Sequence, residues 1–379
     1  MLQESFVPPF RYAHACHGDA VTLARQCLEQ LGDLPEEPSL GFLYTTSSLG
    51  AELPFILETL RQAAPQLHWV GSVGMGIAVS NRELYDERAL SMMLTDIPPQ
   101  QFRLIPNTDS MTPQLPAELE QWCREQGFCF GLLHAEPTYA ATATFIEQLQ
   151  AALPASFING GLSSAEEGAQ QIADGVFDSG LSGVLLSPEV TVLTDHTQGC
   201  SPIGPVHHID QAEQHLVLRL DQRPALDVLR EEVGEVLWRD LNKLGGYVFV
   251  GMPIPGSDTG DYQVRNLLGL DLEQKLIAVG DYMEERQSLM FCRRDGNSAR
   301  EDMLRMLERL KKRIAGRPVR GGVYVSCLGR GRNQFGDDAA EVKMISEVLG
   351  EFPLVGFFAN GELYNGRLYG YTGVLTLFL

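Results

Sequence analysis

The sequence predicts an α+β protein of two domains, built from repeated β-α-β-β units whose mixed sheets carry helices packed on them. The same order of apolar strand-like runs and one amphipathic stretch recurs along the chain, which favours repeated modules over a doubly wound parallel sheet. The 379 residues are enough for two domains of ordinary size. Hydrophobic residues make up 44% and charged residues 21%, as in folded globular proteins.

The first unit is predicted as a strand, an amphipathic helix and two further strands. An apolar run at 41–46 is followed by apolar residues at intervals of three and four positions, which is typical of a helix with one buried face. These residues are Leu53, Ile56, Leu57 and Leu60. Apolar runs at 67–79 and 89–95 follow, with a charged, turn-like stretch between them.

The same order returns twice. The strand runs of the second and third units lie at 128–134, 155–162, 181–186, 321–327, 352–359 and 369–378. Their helices are marked by Phe145, Ile146, Leu149, Met344, Ile345 and Val348. We interpret residues 245–292 as a looser fourth copy. The proline-rich residues 98–116 predict a connecting loop.

A helical pattern at 227–244 separates the second unit from the later part of the chain. We therefore predict a domain boundary near residue 236, giving domains 1–235 and 236–379. Gly71, Gly74 and Gly76 do not match a dinucleotide-binding fingerprint, because their spacing falls inside a strand pattern. We expect them to permit a bulge or a close approach of two backbones.

Composition restricts the partners and the compartment. The formal charge of −20 disfavours nucleic acid, whose phosphates would be repelled. The seven cysteines are scattered without a CxxC pair, so we expect a reducing compartment and no metal site. The apolar runs are too short to span a membrane, and the first ten residues resemble no signal peptide. We expect a cytoplasmic protein that does not enter a membrane.

Several motifs together resemble the FIST family. Ser-Cys-Leu-Gly-Arg-Gly-Arg at 326–332, Phe-Pro-Leu-Val-Gly-Phe-Phe at 352–358 and Asn-Gly-Glu at 360–362 are similar to its C-terminal half. The segments 198–204 and 224–229 are similar to the end of its N-terminal half. The resemblance implies FIST N-type and FIST C-type domains in an intracellular sensory protein. It also implies small ligands such as amino acids and a separate signalling protein as partner.

The main candidate site is the loop after the strand at 321–327. Residues 309–335 contain eight basic residues and no acid, in a strongly acidic protein. Arg330 and Arg332 lie in a glycine-containing loop before a predicted helix, where guanidinium and backbone N–H groups can converge on an anion. Our hypothesis is that Arg330 holds a ligand carboxylate and Glu362 faces an ammonium group. The alternative is that Arg330 forms a structural salt bridge with Glu362 or Glu341.

Further candidates line the same strand ends. Ser326 and Cys327 directly precede the arginine loop, and Cys200 lies in a loop rich in Gly and Pro. Free cysteines pack as small hydrophobic residues more often than they react. Asn159 and Asn360 each precede a glycine after a strand, which favours a tight turn and leaves both as secondary pocket residues.

Two other functions stay open. Because some bacterial FIST proteins are similar to haem-containing nitric oxide sensors, one of His134, His196 and His207 could bind haem iron. A core or surface role is the simpler interpretation for each of these histidines. A cysteine-dependent enzyme using Cys200 or Cys327 is the other alternative, although no base or cofactor motif accompanies either thiol. We therefore expect a binding protein rather than an enzyme, with haem as the only cofactor considered.

Overall fold

A computed structural model describes residues 10–111, 114–152, 155–165, 168–239, 244, 246–254, 261–336 and 339–379. The chain forms two compact lobes, and both contain helices and strands, which confirms the α+β class. The large lobe comprises Met1–Thr197, Met303–Leu368 and Thr372–Leu379. The small lobe comprises Gln198–Asp302 and Tyr369–Tyr371. The domain boundary near residue 236 stays a prediction.

Within these described ranges the helices are α1 (Ala20–Leu31), α2 (Leu53–Ala63), α3 (Ala117–Gln126), α4 (Thr142–Ala152), α5 (Ala225–Trp238), α6 (Gly296–Ile314), α7 (Arg332–Phe335) and α8 (Ala340–Leu349). Local sequence explains where several of them begin and end. The Asp19 side chain accepts a hydrogen bond from the backbone N–H of Thr22 and so caps α1. Gly127 adopts a left-handed conformation that ends α3. None of the described helices is both long enough and apolar enough to cross a membrane.

The first strands of the large lobe are β1 (Arg11–Cys16), β2 (Ser39–Thr46), β3 (Leu67–Gly74), β4 (Gly76–Val79), β5 (Arg82–Tyr85), β6 (Ala89–Leu94), β7 (Phe102–Thr108), β8 (Phe130–Ala135), β9 (Phe157–Leu162), β10 (Gln171–Ala173), β11 (Val176–Phe177), β12 (Leu181–Leu186) and β13 (Val192–Gln198). Those of the small lobe are β14 (Cys200–Pro202), β15 (His207–Glu213), β16 (Leu216–Leu220), β17 (Arg223–Pro224), β18 (Val248–Pro253), β19 (Tyr262–Asp271), β20 (Leu276–Val279) and β21 (Ser288–Arg294). The chain closes the large lobe with β22 (Gly321–Cys327), β23 (Leu354–Ala359), β24 (Glu362–Tyr364), β25 (Arg367–Tyr369) and β26 (Thr372–Phe378).

The large lobe contains three copies of one sheet motif, as the repeats predicted. Each copy pairs two strands in parallel through a helical connection and places a third strand antiparallel beside the first. The three motifs have the orders β6-β2-β3, β12-β8-β9 and β26-β22-β23. A further strand extends each motif at the same edge: β1 beside β6, β7 beside β12 and β13 beside β26. The prediction of a loop at 98–116 was therefore wrong in its middle, where β7 buries Phe102 and Ile105.

The three sheets exchange hairpins in a cycle. The β4–β5 hairpin follows β3 in sequence but joins β23 of the third motif. The β10–β11 hairpin of the second motif joins β3, and the β24–β25 hairpin of the third joins β9. The run at 67–79, predicted as one strand, is accordingly divided at Met75 between two sheets. This exchange brings residues from distant parts of the sequence onto the third motif.

A glycine at the same place in each motif permits the parallel strand pair. The paired residues are Leu43 and Gly71, Leu133 and Gly160, and Tyr324 and Gly356. A Cβ atom on these glycines would lie 1.7, 1.8 and 1.8 Å from the carbonyl oxygens of Leu43, Leu133 and Tyr324. No other residue fits such an approach without moving a backbone. The expected close backbone contact at Gly71 is confirmed.

The central core of the large lobe draws on all three motifs. In each motif, the residue that follows the one paired with the glycine faces the other side of the sheet, because neighbouring side chains of a strand alternate. These three equivalent residues are Tyr44, His134 and Val325. The Tyr44 ring stacks on Phe357 with centroids 5.3 Å apart, and its hydroxyl lies 3.2 Å from His134 Nε2. Full burial lowers the pKa of His134 to about 3, so this histidine is a neutral core residue.

The small lobe is an antiparallel barrel. The strands β21, β15, β16, β20, β19 and β18 pair in that order, and β18 pairs with β21 to close the ring. Helix α5 contributes Val228 and Leu229 to an apolar core that also contains Ile277 and Phe291. The interpretation of 245–292 as a fourth β-α-β-β copy was wrong, since the described residues of this range form no helix and their strands pair antiparallel. The strand β19 was missed.

Candidate functional site

A buried carboxylate, Glu341, organises the end of the third sheet motif. It is the second residue of α8, where backbone N–H groups favour negative charge. Its Oε1 accepts hydrogen bonds from Arg330 Nε at 2.9 Å, Arg330 Nη2 at 2.7 Å and the Tyr324 hydroxyl at 2.7 Å. Its Oε2 accepts from the Ser326 hydroxyl at 2.8 Å and from the backbone N–H of Gly331 at 3.0 Å. The carboxylate is thus fully bonded.

Neighbouring positions explain this convergence. Tyr324 and Ser326 alternate along β22 and therefore face the same side of the sheet, toward α8. Arg330 follows in a tight turn in which its N–H donates to the carbonyl of Cys327 at 2.8 Å. The side chains of Arg330 and Glu341 are both inaccessible to solvent. The structural salt bridge between Arg330 and Glu341, weighed as an alternative from the sequence, is therefore present.

The exchanged hairpin adds a second buried acid. Glu83 lies on β5, and its Oε1 accepts a hydrogen bond from the backbone N–H of Glu341 at 3.1 Å. Its Oε2 accepts from the Tyr85 hydroxyl at 2.7 Å. Burial, reinforced by the negative charge of Glu341, raises the pKa of Glu83 to about 7. Glu83 can therefore change its charge near neutral pH.

Glu362 is the third buried acid of the cluster. Its Oε2 accepts a hydrogen bond from the backbone N–H of Thr372 at 3.0 Å. Burial raises its pKa well above the ordinary range, although the Thr372 N–H, the charge of Arg330 and the Cys327 thiol oppose this shift. Burial therefore favours the neutral acid.

Two polar atoms in this cluster have no hydrogen-bond partner among the described residues. They are Arg330 Nη1 and Glu362 Oε1, and both are inaccessible to solvent. The charge of Arg330 reaches Glu362, yet no hydrogen bond joins the two side chains. A buried polar atom left without a partner costs about 1–3 kcal/mol. Other buried atoms of the described residues also lack a partner, but these two belong to ionisable side chains of one cluster.

Four of the predicted site residues thus lie in one cluster: Arg330, Glu362, Ser326 and Cys327. The Cys327 thiol lies close enough to Glu362 to lower the pKa of that carboxyl, and its sulfur accepts a hydrogen bond from the backbone N–H of Gly329 at 3.4 Å. Arg332 lies outside the cluster, since it pairs with Asp86 and stacks on the Tyr85 ring 4.5 Å away. Whether any of these residues binds a ligand stays a prediction.

The arginine side chains of the basic stretch at 309–335 form ion pairs and hydrogen bonds with several separate residues. Arg309 pairs with Asp195 at 2.9 Å, and Arg320 pairs with Asp96. The Arg313 guanidinium donates to the carbonyl of Thr194 at 2.8 Å. These three arginines are therefore held by residues far away in the sequence and do not together form an anion site.

The two Asn-Gly pairs have different structures. Asn159 lies inside β9, so the turn interpretation was wrong there. Its Nδ2 donates to Thr194 Oγ1 at 2.7 Å and to Thr376 Oγ1 at 3.3 Å, and the side chain is fully buried. Asn360 is exposed and lies in the bend between β23 and β24, which belong to different sheets, so the predicted tight hairpin turn was wrong there as well. The two positions are not equivalent in the repeat.

Cys200 belongs to the small lobe. It lies on β14 and packs in an apolar cluster with Phe249, Met290 and Cys292. The side chain is buried, as the packing role favoured from the sequence predicted, although Cys200 lies on a strand and not in a loop. Its carbonyl accepts a hydrogen bond from the Tyr262 hydroxyl at 2.6 Å.

The histidines considered for haem do not fit that group as they are placed. His207 Nδ1 lies 2.6 Å from Asp221 and its Nε2 lies 2.6 Å from Glu232, so both ring nitrogens are engaged. His134 is enclosed in the central core. His196 is buried with its ring 4.2 Å from the Tyr364 ring. An iron could reach these rings only if their surroundings rearranged.

Two open clefts in the described part of the large lobe lie elsewhere. One of about 240 Å³ is lined by residues that include Tyr12, Ser80 and Phe352. Another of about 310 Å³ is lined by residues that include Phe157 and Arg313. Neither is lined by Arg330 or Glu362. The Arg330–Glu362 cluster is a candidate because of its unmatched polar atoms and not because of a large opening.

Sequence reasoning missed Glu83, Tyr324 and Thr372, and it considered Glu341 only as a structural partner. One signal was available for Glu341, since it occupies a position flanked by the buried residues Ala340 and Val342 of α8. No local signal could have identified Glu83, because its place beside Glu341 depends on the hairpin exchange.

Comparison with known proteins places the chain in a family. The FIST N domain matches residues 39–223, and the FIST C domain matches residues 225–365. The uncharacterized protein Rv0628c of Mycobacterium tuberculosis is 30% identical over 362 residues, covering 90% of this chain and 91% of the relative. The uncharacterized protein Mb0898c of Mycobacterium bovis is 29% identical over 378 residues, covering 95% of each chain. The resemblance predicted from the motifs is confirmed, and the chain belongs to the FIST family, whose domains are generally small-ligand sensory domains in signal transduction.

Proposed function

We propose that this protein senses a small ligand that carries a carboxylate, and that it binds this ligand through Arg330 and Glu362. The ligand is either amino-acid-like or a carboxylate without an amino group. The observation that carries the proposal is the pair of buried atoms without partners, Arg330 Nη1 and Glu362 Oε1. Arg330 Nη1 can only donate a hydrogen bond, so it requires an acceptor. A carboxylate oxygen is the acceptor that a guanidinium binds best.

Glu362 decides between two ligand classes. If Glu362 stays neutral, its Oε1 can donate a hydrogen bond, because Oε2 already accepts from Thr372. Arg330 and Glu362 would then both donate to one carboxylate. If the ligand is an amino acid, its ammonium group faces Glu362 and favours the ionised form, so binding releases a proton.

Signal transfer and location are further parts of the proposal. A sensory protein of this family would pass its signal to a separate protein partner, and this rests on family membership alone. The seven cysteines are present as free thiols, which supports a reducing compartment such as the cytoplasm.

A thermal-shift screen tests the proposal. The panel pairs amino acids with carboxylates of the same carbon skeleton, so that the two ligand classes can be compared. A ligand at a hundred times its Kd stabilises the folded state by about 2.7 kcal/mol and therefore raises the Tm. Arg330→Lys keeps a cation beside Glu341 but has no second terminal nitrogen to reach a ligand. We expect a rise in Tm for the wild type, and its loss in Arg330→Lys.

Two further variants in the same screen distinguish the ligand classes and test whether the loss of any arginine would abolish the response. In Glu362→Gln the Tm rise persists if the ligand is a plain carboxylate, and it disappears if an ammonium group faces Glu362. Arg124→Ala removes an exposed arginine paired only with Glu120 and should leave the response unchanged. The proposal fails if no compound of the panel raises the Tm, or if Arg330→Lys responds like the wild type.

A further inference from the structure

A second cluster of chemically reactive side chains lies at the end of β1, away from the Arg330 cluster. Cys16, His17 and Glu87 place Sγ, an imidazole nitrogen and a carboxylate oxygen within 4.8 Å of one another. His17 Nε2 lies 3.1 Å from Glu87 Oε2, and the Cys16 thiol is hydrogen-bonded to Glu87. We propose that these three side chains bind a zinc ion.

The backbone explains how two consecutive residues face one site. Neighbouring side chains of a strand point to opposite faces, so Cys16 and His17 would normally diverge. His17 instead adopts a left-handed conformation, with φ of 65°, directly after β1 ends at Cys16. This turn brings the imidazole to the same side as the thiol.

Hydrogen bonds to the backbone hold the three residues in place. The N–H of His17 donates to the carbonyl of Arg88 at 3.0 Å. The carbonyl of Glu87 accepts from the hydroxyls of Thr46 at 2.6 Å and Ser48 at 3.1 Å. The strand pairing of Cys16 with Ala89 fixes the other side of the site. Such supporting contacts orient metal ligands and raise metal affinity.

The donor set favours zinc. Thiolate, imidazole and carboxylate are its usual ligands, whereas magnesium and calcium require oxygen alone. Tetrahedral ligands around zinc lie about 3.5 Å apart, so the present spread needs only small side-chain rotations. Three protein ligands leave a fourth position, and the His17 side chain is 76% exposed, so solvent can reach it.

The surrounding charges permit a dication. Zinc binding displaces the thiol proton of Cys16 to solvent and leaves the thiolate and the Glu87 carboxylate as two negative ligands. Arg82 on β5 faces Cys16, and its single positive charge opposes the ion less than the two negative ligands attract it. Its Nη1 lies 3.1 Å from His14 Nε2. Arg88 is directed to Glu52, 2.7 Å away, and does not oppose the ion.

Cobalt titration of the untagged full-length protein tests the site, because Co²⁺ substitutes for zinc and is coloured. We expect a thiolate-to-cobalt charge-transfer band and intense visible bands of four-coordinate cobalt, both abolished by one equivalent of Zn²⁺. Cys16→Ser should remove the charge-transfer band. His17→Asn, which keeps a residue that tolerates the left-handed backbone, and Glu87→Gln should each weaken affinity at least about tenfold.

The control is His208→Asn, which removes an exposed histidine of the small lobe and should leave cobalt binding unchanged. Circular dichroism of the metal-free variants verifies that all are folded. The proposal is overturned if cobalt gives no charge-transfer band, or if Cys16→Ser retains that band. It is equally overturned if His17→Asn and Glu87→Gln bind cobalt as tightly as His208→Asn.

Discussion

Glu341 accepts two hydrogen bonds from the guanidinium of Arg330, at 2.9 Å from Nε and 2.7 Å from Nη2, and neither side chain reaches solvent. Taking two charges out of water costs several kcal/mol for each ion, and the pair repays this only while both partners remain. The pair therefore fixes the position of the third Arg330 nitrogen, Nη1, more than it stabilises the fold. A rigid donor in a buried site is what selective recognition of a small ligand requires.

Removing one member of this pair should destabilise the protein strongly. We expect Glu341→Gln to lower the free energy of unfolding by about 3–5 kcal/mol, because Arg330 is left as a buried charge without a counterion. The double variant Arg330→Met with Glu341→Gln should recover part of that loss, because it removes the unpaired charge and keeps an amide oxygen that accepts hydrogen bonds from the neighbouring donors. Urea unfolding measures both effects. Arg239→Ala, which breaks an exposed pair with Glu235, should cost less than about 1 kcal/mol. A loss below about 1 kcal/mol in Glu341→Gln would contradict the assignment of a buried, charged Arg330–Glu341 pair.

Glu83 should make stability depend on pH. Its pKa is raised to about 7 in the folded protein, so the folded state binds the proton more tightly than the unfolded chain. The resulting stability is fully present below the ordinary glutamate pKa and is lost as the pH rises to about 7, by on the order of 2–3 kcal/mol. Glu83→Gln should flatten this part of the stability curve. Denaturant unfolding between pH 4 and 8 checks it, and an unchanged slope in the variant would refute the assignment.

His207 should give the small lobe a pH dependence of its own. Burial lowers its pKa, but hydrogen bonds to Asp221 and Glu232 outweigh burial and raise it overall. The stability it contributes is therefore fully present below the ordinary histidine pKa and is lost as the pH rises through the higher folded value. Hydrogen exchange of β15 should show weaker protection at high pH in the wild type. In His207→Gln this change should disappear, and its persistence would point to another group.

The repeated glycines should not tolerate a side chain. We expect Gly356→Ala to destabilise the large lobe by several kcal/mol, since the new Cβ would lie 1.8 Å from the Tyr324 carbonyl oxygen and force two strands apart. Gly127→Ala is the control, because nothing lies within 4 Å of its Cβ position and only the left-handed backbone is strained, at about 1–2 kcal/mol. Thermal unfolding compares the two. Equal losses would mean that the strand contact is not the cause.

The sequence predicted the elements of the large lobe better than their partners. Apolar spacing identifies a buried face, so Leu53 and Ile56 correctly indicated a helix and the three β-α-β-β copies were visible. The same spacing does not indicate which strands pair in a sheet, because strand pairing depends on contacts between residues distant in the sequence. The hairpin that carries Glu83 is therefore assigned to the third motif only by the structure.

The candidate site shows the same division. Arg330 was identified because it lies in a glycine-containing loop of a locally basic stretch, and Glu362 as the acid that would face an ammonium group of the ligand. The sequence left two possible salt-bridge partners for Arg330, Glu362 and Glu341, because a sequence gives no distances between side chains. Arg332 was grouped with Arg330, but its partner Asp86 is far away in the sequence and draws it out of the cluster.

Arg330 Nη1 and Glu362 Oε1 are proposed to recognise the ligand directly. A crystal structure with the compound that gives the largest thermal shift tests this proposal. We expect a ligand carboxylate oxygen within hydrogen-bond distance of Arg330 Nη1, with Glu362 Oε1 contacting the same carboxylate or an ammonium group. A ligand bound elsewhere, with Arg330 Nη1 unchanged or paired only with water, would contradict it.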